Sequence, residues 1–300
     1  MHIPAAMLNG AVCPVTIAVS AVGITAAVVA AKKTKNKPSS AKFAAITALI
    51  FALQMLNYPV QNGTSGHLLG AMLGVALLGI PFAVLSMSVV LAIQAFFFGD
   101  GGINALGANI LNMALIGAGV LGFAYNYIKE KGLNEKVSLA AAAFISVLVG
   151  AFACSMEVAI SGAVTFNKVM PAMLSVHVLI GLGEAVLTVV VVYALNACGY
   201  FSKENEYSFV AGASALAIIA AFLSPLASSF PDGLEWVAAK LSFAKFSGIE
   251  FPAMFPDYQV AFIANSAITT ISAGIIGAVL VFSSTFLIGN FLKNTRTISI

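Results

Sequence analysis

The chain has 300 residues, of which 60% are hydrophobic and 8% are charged, and its mean hydropathy is +1.01. This composition excludes a soluble globular domain, because too little polar surface is available to face water. The net charge of +3 does not indicate a nucleic-acid partner, since the basic residues lie in short loops between apolar runs. We therefore predict an all-α integral membrane protein embedded in a lipid bilayer.

Nine apolar segments follow one another along the chain, and we predict each to be a membrane-spanning helix. Their predicted limits are 11–31, 43–56, 68–80, 82–98, 103–128, 137–160, 171–198, 209–226 and 262–292. The third is short for a crossing of about 20 residues, so it is tilted, partly re-entrant, or separated from the fourth by a kink at Pro81. The polar run Ser202–Glu206 predicts a domain boundary. It divides the chain into a seven-helix domain at 1–206 and a two-helix domain at 207–300, with a loop from Ala227 to Tyr258.

The basic residues predict the orientation in the cell membrane, because inner loops carry an excess of lysine and arginine. With the N-terminus outside, 11 of the 14 basic residues fall inside, namely Lys32, Lys33, Lys35, Lys37, Lys42, Lys129, Lys131, Lys136, Lys203, Lys293 and Arg296. The residues left outside are Lys168, Lys240 and Lys245. The N-terminus and His67, which follows the second span, then share the outer face.

The first two residues, Met1 and His2, are able to wrap one divalent metal ion. The terminal amine and the His2 amide nitrogen close a five-membered chelate ring, and that amide and the imidazole Nδ1 close a six-membered ring. His67, at the end of the loop Gly63–His67, is the candidate for a fourth in-plane nitrogen. Tetragonal all-nitrogen sites suit Ni(II) or Cu(II). Each residue alone also has a simpler interpretation, because any chain can begin Met-His and a loop histidine is more often only hydrogen-bonded.

Three ionisable residues, Glu157, His177 and Glu184, lie inside predicted spans, where they are costly unless paired or hydrated. His177 and Glu184 are seven residues apart and therefore share a helix face. Two interpretations remain open, a polar network that steadies a metal pocket and hydrogen bonding between helices. We do not assign them as ligands, since a carboxylate favours an oxygen-rich site.

The glycine-rich stretch Gly99-Asp100-Gly101-Gly102 is not a nucleotide-binding loop, because the pattern GxxxxGK followed by Ser or Thr occurs nowhere in the chain. We predict a tight turn between helices, which uses the freedom of glycine at positive φ. The chain is not expected to hydrolyse ATP, so any energy that its activity needs has to come from a partner.

An ordered set of motifs connects these observations. It begins with Met1-His2-Ile3-Pro4 and Gly63-Thr64-Ser65-Gly66-His67, continues with Phe98-Gly99-Asp100-Gly101-Gly102 and Ala105-Leu106-Gly107-Ala108-Asn109, and ends with His177 and Ile180-Gly181-Leu182-Gly183-Glu184-Ala185. As a set, over about residues 1 to 200, it resembles the CbiM/NikM family, the substrate-capture subunits of energy-coupling-factor (ECF) transporters for cobalt and nickel. The segment Pro231-Asp232-Gly233-Leu234-Glu235-Trp236 resembles the companion N-type subunit, the PDGLE domain, here fused to the same chain.

The resemblance implies a seven-helix capture domain that binds metal through the Met1 amine, the His2 amide and imidazole, and the His67 imidazole. It implies Ni(II) as substrate, with Co(II) as the alternative. The implied partners are a transmembrane coupling (T) protein and cytoplasmic ATPase subunits. Supporting contacts are expected from Thr64, Ser65, Asp100, His177 and Glu184. The family usually has an acidic residue after Met-His-Ile-Pro, whereas this chain has Ala5 and Ala6, a difference in the surroundings of the ligands.

Small residues form a stripe on span two, at Ala44, Ala48 and Ala52, and another on span one, at Ala26, Ala27, Ala30 and Ala31. Such stripes let helices approach closely in lipid. Docking of the T protein and packing within the chain are the two interpretations, and packing is favoured.

Two functions of other classes stay open at this point. A membrane-embedded metalloenzyme would use Asp100, Glu157, His177 or Glu184. Against it, the chain has no HExxH motif, and four nitrogen ligands leave no in-plane position for a catalytic water. A metal-gated channel would instead carry metal without ATP. We favour a capture subunit that is not an enzyme.

Overall fold

The computed structural model describes residues 2–197, 206–243 and 252–294. Its α-helices are α1 Val12–Lys33, α2 Ser40–Gln54, α3 Ala71–Leu78, α4 Ile80–Ile93, α5 Leu106–Asn109, α6 Leu121–Glu130, α7 Glu135–Ile160, α8 Phe166–Ala197, α9 Glu206–Leu223, α10 Gly233–Lys240 and α11 Ser266–Asn294. A π-helical turn, Gln94–Phe98, extends α4, and a π-helical segment, Ile110–Val120, joins α5 to α6. Two short strands, β1 Tyr58–Pro59 and β2 Ser65–Gly66, form an antiparallel hairpin in which Pro59 pairs with Ser65.

Seven of the helical segments are long and apolar enough to cross a membrane: Val12–Lys33, Ile80–Phe98, Ile103–Glu130, Glu135–Ile160, Phe166–Leu195, Glu206–Leu226 and Ser266–Lys293. The second and third predicted spans are shorter helices, α2 with 15 residues and α3 with eight. Seven of the nine predicted spans therefore have the length to cross a membrane on their own. The prediction of an all-α, multi-pass membrane protein is therefore confirmed. Apolar side chains of α1, α8 and α11 remain exposed on the outside of the bundle, among them Val22, Val186 and Leu287, as expected of helices that face lipid.

Several predicted limits differ from the structure by a few residues, and three of the differences have a local cause. Helix α8 begins at Phe166, so Pro171 lies inside it, because the helix continues beyond the apolar stretch through Asn167 and Lys168. Helix α3 ends at Leu78, because the following Gly79 has a φ of 82° that breaks the helix. Pro81 lies in the first turn of α4, where proline costs no hydrogen bond. The predicted loop from Ala227 to Tyr258 contains α10.

Some predicted features lie outside the described residues. They are Met1, the end of the seventh predicted span at Cys198, and most of the predicted domain boundary at Ser202–Glu206. The division at residue 206 therefore stays a prediction.

The C-terminal helices α9 and α11 pack against α2. The alanine stripe of α2 is buried at this contact, with Ala44, Ala48 and Ala52 at most 4% exposed. Packing within the chain, the favoured interpretation, is therefore the role of that stripe. On α1, Ala27 and Ala31 are buried, whereas Ala26 and Ala30 are exposed.

Two of the basic residues predicted to lie inside, Lys32 and Lys37, lie at one end of the bundle, whereas Lys203, Lys245 and Arg296 are outside the described residues. Lys37 Nζ donates a 2.9 Å hydrogen bond to the Leu292 carbonyl oxygen near the end of α11, and the Lys32 ammonium lies 5.0 Å from the centre of the Phe291 ring. The other end of α11 begins beside Val260, whose amide donates a 2.6 Å hydrogen bond to Thr269 Oγ1. His2, His67 and Asp100 lie at this second end, away from Lys32 and Lys37.

Candidate metal centre

Asn109 fixes the N-terminal segment that carries His2. Its Oδ1 accepts a 2.8 Å hydrogen bond from the Ile3 amide, and its Nδ2 donates a 3.2 Å hydrogen bond to the Ile3 carbonyl oxygen. The Gly102 amide donates a further 3.2 Å hydrogen bond to that oxygen. Because both polar groups of Ile3 are bonded, the preceding residue, His2, has a defined position.

Gly101 allows this close approach. Its φ is +77°, and a Cβ at this position would lie 2.8 Å from Asn109 Nδ2 and 3.3 Å from His2 Cβ. Only glycine combines that backbone conformation with so little space. The glycine-rich stretch therefore forms the predicted tight turn, and it does so against the N-terminal segment.

Glu184 holds the segment that follows His67. From α8, its Oε2 accepts a 2.6 Å hydrogen bond from the Leu69 amide, and its Oε1 accepts a 2.9 Å hydrogen bond from the Gly70 amide. Nδ1 of His67 lies 3.0 Å from the Leu68 carbonyl oxygen, which fixes the plane of the ring. Glu184 therefore fixes the backbone that follows His67, and its role in steadying a metal pocket stays a prediction.

The two imidazoles lie side by side. The ring centroids of His2 and His67 are 5.4 Å apart, their planes differ by 13°, and both residues are buried. Asp100 faces His2, with its Oδ1 3.2 Å from His2 Nδ1. The chelate predicted from the sequence uses this same Nδ1, so metal capture through it requires the imidazole to exchange Asp100 for the metal.

The second ring nitrogen of His2, Nε2, is buried and has no hydrogen-bond partner within 3.5 Å among the described residues. Gln94 Oε1 is also a buried atom without such a partner, and the Gln94 side chain is close enough to act on the His2 pKa. In the neutral ring the proton is on Nδ1, which faces the Asp100 carboxylate, so Nε2 carries the lone pair. Nε2–H would become a donor for Gln94 Oε1 only when Nδ1 binds a metal and the proton is on Nε2.

Burial lowers the pKa of the His2 imidazole below its ordinary value, although the charge of Asp100 opposes the shift. Burial also lowers the pKa of the His67 imidazole, and the proximity of His2 adds to this effect. Both rings are therefore neutral near pH 7. A neutral imidazole has the lone pair that a metal ligand needs.

The remaining residues expected near the site have different environments. Thr64 Oγ1 donates to the Gln61 carbonyl oxygen at 2.8 Å and so stabilises its own turn. His177 Nδ1 lies 2.7 Å from the Met173 carbonyl oxygen, while its Nε2 is buried with no hydrogen-bond partner among the described residues. His177 shares the lining of a small cavity with His67. Glu157 Oε2 accepts a 2.7 Å hydrogen bond from Asn112 Nδ2 on a neighbouring helical segment. This contact is hydrogen bonding between helices, one of the two interpretations given for Glu157.

Ser65 connects the site to the C-terminal segment. Its amide donates a 2.8 Å hydrogen bond to the Pro231 carbonyl oxygen, and its Oγ donates a 2.7 Å hydrogen bond to the Phe230 carbonyl oxygen. Asp232 then caps α10 by accepting from the Glu235 amide at 2.8 Å, while Glu235 Oε2 accepts from the Asp232 amide at 3.2 Å. This capping box stabilises the start of α10. The chain just before it, at residues 230 and 231, is thereby held in contact with the hairpin.

Three polar residues of the network around the site were not predicted from the sequence. Gln54 Nε2 donates a 2.6 Å hydrogen bond to the Leu69 carbonyl oxygen, and Gln94 Nε2 donates a 2.8 Å hydrogen bond to Gln54 Oε1. Tyr258 donates to Asp100 at 2.8 Å. Gln54 and Gln94 interrupt apolar spans, which is a signal that could have identified them, whereas nothing in the local sequence marks Tyr258. The assignment of Met1, His2 and His67 as ligands stays a prediction, since Met1 lies outside the described residues.

Residues 2–200 match the family described as CbiM, cobalt uptake substrate-specific transmembrane region, and residues 207–294 match the PDGLE domain. The putative fused nickel transport protein NikMN of Archaeoglobus fulgidus is 35% identical over 84% of this chain and 86% of its own length. The probable fused nickel transport protein LarMN of Lactiplantibacillus plantarum is 32% identical over 94% of this chain and 95% of its own length. A crystal structure of a transition metal transporter superposes with a TM-score of 0.61 and 32% identity, covering 69% of this chain and 98% of that chain.

Proposed function

Because the chain belongs to the CbiM family, we propose that it captures Ni(II) on the outer face of the cell membrane and delivers it inward as the substrate-binding subunit of an ECF-type importer. The chain is a multi-pass membrane protein of a metal transport family. The choice of nickel, the ligands and the partners are the proposed part.

The observation that carries the proposal is the meeting of His2 and His67. Their rings come from the N-terminus and from a loop that follows the second apolar segment, and they end 5.4 Å apart in a buried position. His2 brings with it a backbone amide and, through Met1, a terminal amine. A set of four nitrogens of this kind suits Ni(II). Binding releases protons, since the amide has to be deprotonated.

Nickel is proposed over cobalt on two grounds. The relatives that match nearly the whole chain, including the fused C-terminal part, are named as nickel transport proteins. A planar set of four nitrogens also meets the tetragonal preference of Ni(II). Co(II) remains the alternative substrate, because the family itself is described by cobalt uptake.

We infer partner subunits from the same family context. Since the sequence has no phosphate-binding motif, ATP would be hydrolysed by cytoplasmic ATPase subunits, which a transmembrane T protein couples to this chain. Residues 207–300 would assist metal loading, and the contact of Ser65 with Pro231 supports this role.

Uptake of radioactive nickel into cells tests the proposal. Cells that express the chain with its T protein and ATPases should accumulate Ni(II), and an ATPase variant without hydrolysis should abolish accumulation while the purified chain still binds Ni(II). Undiminished uptake after deletion of every partner would contradict the proposal and indicate a channel. Turnover of a peptide or lipid by the purified chain would indicate an enzyme.

A further inference from the structure

The C-terminal segment reaches the metal centre a second time, at the 3-10 turn Pro256–Tyr258. The Phe255 amide donates a 2.8 Å hydrogen bond to the Phe97 carbonyl oxygen. The Tyr258 ring stacks on Phe98, with centroids 4.7 Å apart and planes 21° apart. Because Phe97 and Phe98 end the π-helical turn just before Asp100, the Pro256–Tyr258 turn is fixed against the segment that faces His2.

The Tyr258 hydroxyl joins two polar side chains that lie around His2. It donates a 2.8 Å hydrogen bond to Asp100 Oδ2 and accepts a 3.3 Å hydrogen bond from Gln94 Nε2. The other oxygen of Asp100, Oδ1, is the atom that lies 3.2 Å from His2 Nδ1. One hydroxyl therefore restrains both neighbours of the imidazole.

The backbone at Tyr258 is itself in a strained conformation. Asp257 and Tyr258 have φ values of 51° and 57°, a region that large non-glycine residues rarely adopt. Such a conformation persists only where surrounding contacts hold it, and it is common at functional sites. Here the contacts are the stacking of Tyr258 on Phe98 and the hydrogen bond from Tyr258 to Asp100. These contacts stabilise the strained backbone at the point where Tyr258 contacts the site.

We propose that Tyr258 is a positioning residue for His2. Tyr258 acts through Asp100 and Gln94, and the C-terminal segment thereby raises metal affinity without supplying a ligand. This inference rests on the capture function proposed above. When His2 exchanges Asp100 for the metal, the carboxylate loses one partner. The hydrogen bond from Tyr258 keeps its other oxygen paired, and the same hydroxyl keeps Gln94 aligned beside the imidazole.

The direct test is the Ni(II) affinity of Tyr258→Phe, measured by isothermal titration on the purified full chain. The variant removes one hydroxyl and keeps the ring that stacks on Phe98. We expect binding about tenfold weaker than wild type, as for the loss of other groups that orient a metal ligand. Tyr207→Phe is the matched control, because it removes a hydroxyl from the same C-terminal segment at a site that is 91% exposed, and its affinity should equal that of wild type.

A double-mutant cycle tests the route of the effect. In an Asp100→Asn background, Tyr258→Phe should weaken binding much less than tenfold, because both changes break the same contact. Equal and independent effects would contradict action through Asp100.

Nuclear magnetic resonance of the protein without added metal separates positioning from a general loss of structure. The chain has three histidines, so the imidazole nitrogens of His2 can be assigned by single substitutions. Their shifts should change in Tyr258→Phe and in Asp100→Asn, and should not change in Tyr207→Phe. If Tyr258→Phe does not fold, Asp100→Asn reports on the same link from its other side.

Unchanged His2 shifts in Asp100→Asn or Tyr258→Phe would overturn the positioning role, as would a Tyr258→Phe affinity equal to or above that of wild type. Absence of Ni(II) binding by the wild type would instead overturn the proposed function. Failure of the positioning role and failure of the capture function are distinguishable, because the His2 chemical shifts are measured without metal.

Discussion

The Ser65 amide donates a 2.8 Å hydrogen bond to the carbonyl oxygen of Pro231, which lies 166 residues further along the chain. Ser65 is two residues before His67, so the C-terminal segment contacts the hairpin that leads into the candidate metal centre. This contact and the Tyr258–Asp100 hydrogen bond place the C-terminal segment against both halves of the site. The fused part of the chain is therefore in a position to influence metal binding from two directions.

The first prediction concerns the side chain of Ser65. Ser65→Ala removes the hydrogen bond to the Phe230 carbonyl oxygen but keeps the backbone bond to Pro231, so docking should weaken by about 1 kcal/mol. Hydrogen exchange of residues 63–67 should become faster. Ser175→Ala is the control, because Ser175 Oγ bonds only within its own exposed helix turn. Exchange as slow as in wild type would show that the side chain does not hold the two segments together.

The second prediction concerns Glu184. A carboxylate accepts from both the Leu69 and Gly70 amides, whereas the amide of Glu184→Gln has one oxygen and would face an NH₂ group toward an N–H donor. The loss should cost about 1–3 kcal/mol and should weaken Ni(II) binding, since the segment after His67 loses an anchor. Thermal unfolding and titration of Glu184→Gln measure both effects.

Glu130→Gln is the matched control for Glu184→Gln, because Glu130 is exposed at the opposite end of the bundle. It should leave stability and binding unchanged. If Glu184→Gln also behaved like wild type, the hydrogen bonds to Leu69 and Gly70 would have no importance for the site.

The apolar spans could be predicted from the sequence because a bilayer demands long uncharged segments with internally bonded backbones. Counting those spans predicted only that the N-terminus and His67 share one face of the membrane, and the resemblance to the CbiM/NikM family implied that they meet in one site. Helix α10 was missed because eight residues beginning with glycine lack a long apolar period, although Asp232 and Glu235 at capping-box spacing did signal it. The Tyr258–Asp100 contact could not be predicted, because it joins residues 158 positions apart and depends on how α11 packs against α2.

The third prediction is topological. The lysine-rich end of the bundle should face the cytoplasm, because inner loops carry the excess of basic residues. A cysteine at Leu133, which is 52% exposed beside Lys131, should be shielded from impermeant thiol reagents in intact cells. A cysteine at Phe262, which is 87% exposed between Tyr258 and α11, should be labelled. The parent chain with its native cysteines gives the background, and the reverse labelling pattern would contradict the orientation.

The fourth prediction concerns pH. Because burial lowers the pKa values of His2 and His67, the folded chain binds fewer protons than the unfolded chain below the ordinary histidine pKa of about 6.5. Stability should be full above pH 6.5 and should fall as the pH decreases below it. Thermal unfolding without metal between pH 7.5 and pH 5 measures the slope, and His67→Gln should make it shallower. A slope that is unchanged in His67→Gln would contradict the buried, neutral state of that ring.

The central claim is that the N-terminus and His67 bind one metal ion together. His2→Ala and His67→Ala each remove an imidazole, and one extra residue before Met1 turns its amine into an amide. All three changes leave the apolar spans intact, so the chain should still insert and remain folded in detergent.

Isothermal titration of Ni(II) into the N-terminally extended chain is the most direct measurement. We predict loss of high-affinity binding with an unchanged thermal unfolding profile, because the new amine lies outside the chelate ring. Affinity close to that of wild type would contradict the proposed site, since the Met1 amine would then not be a ligand.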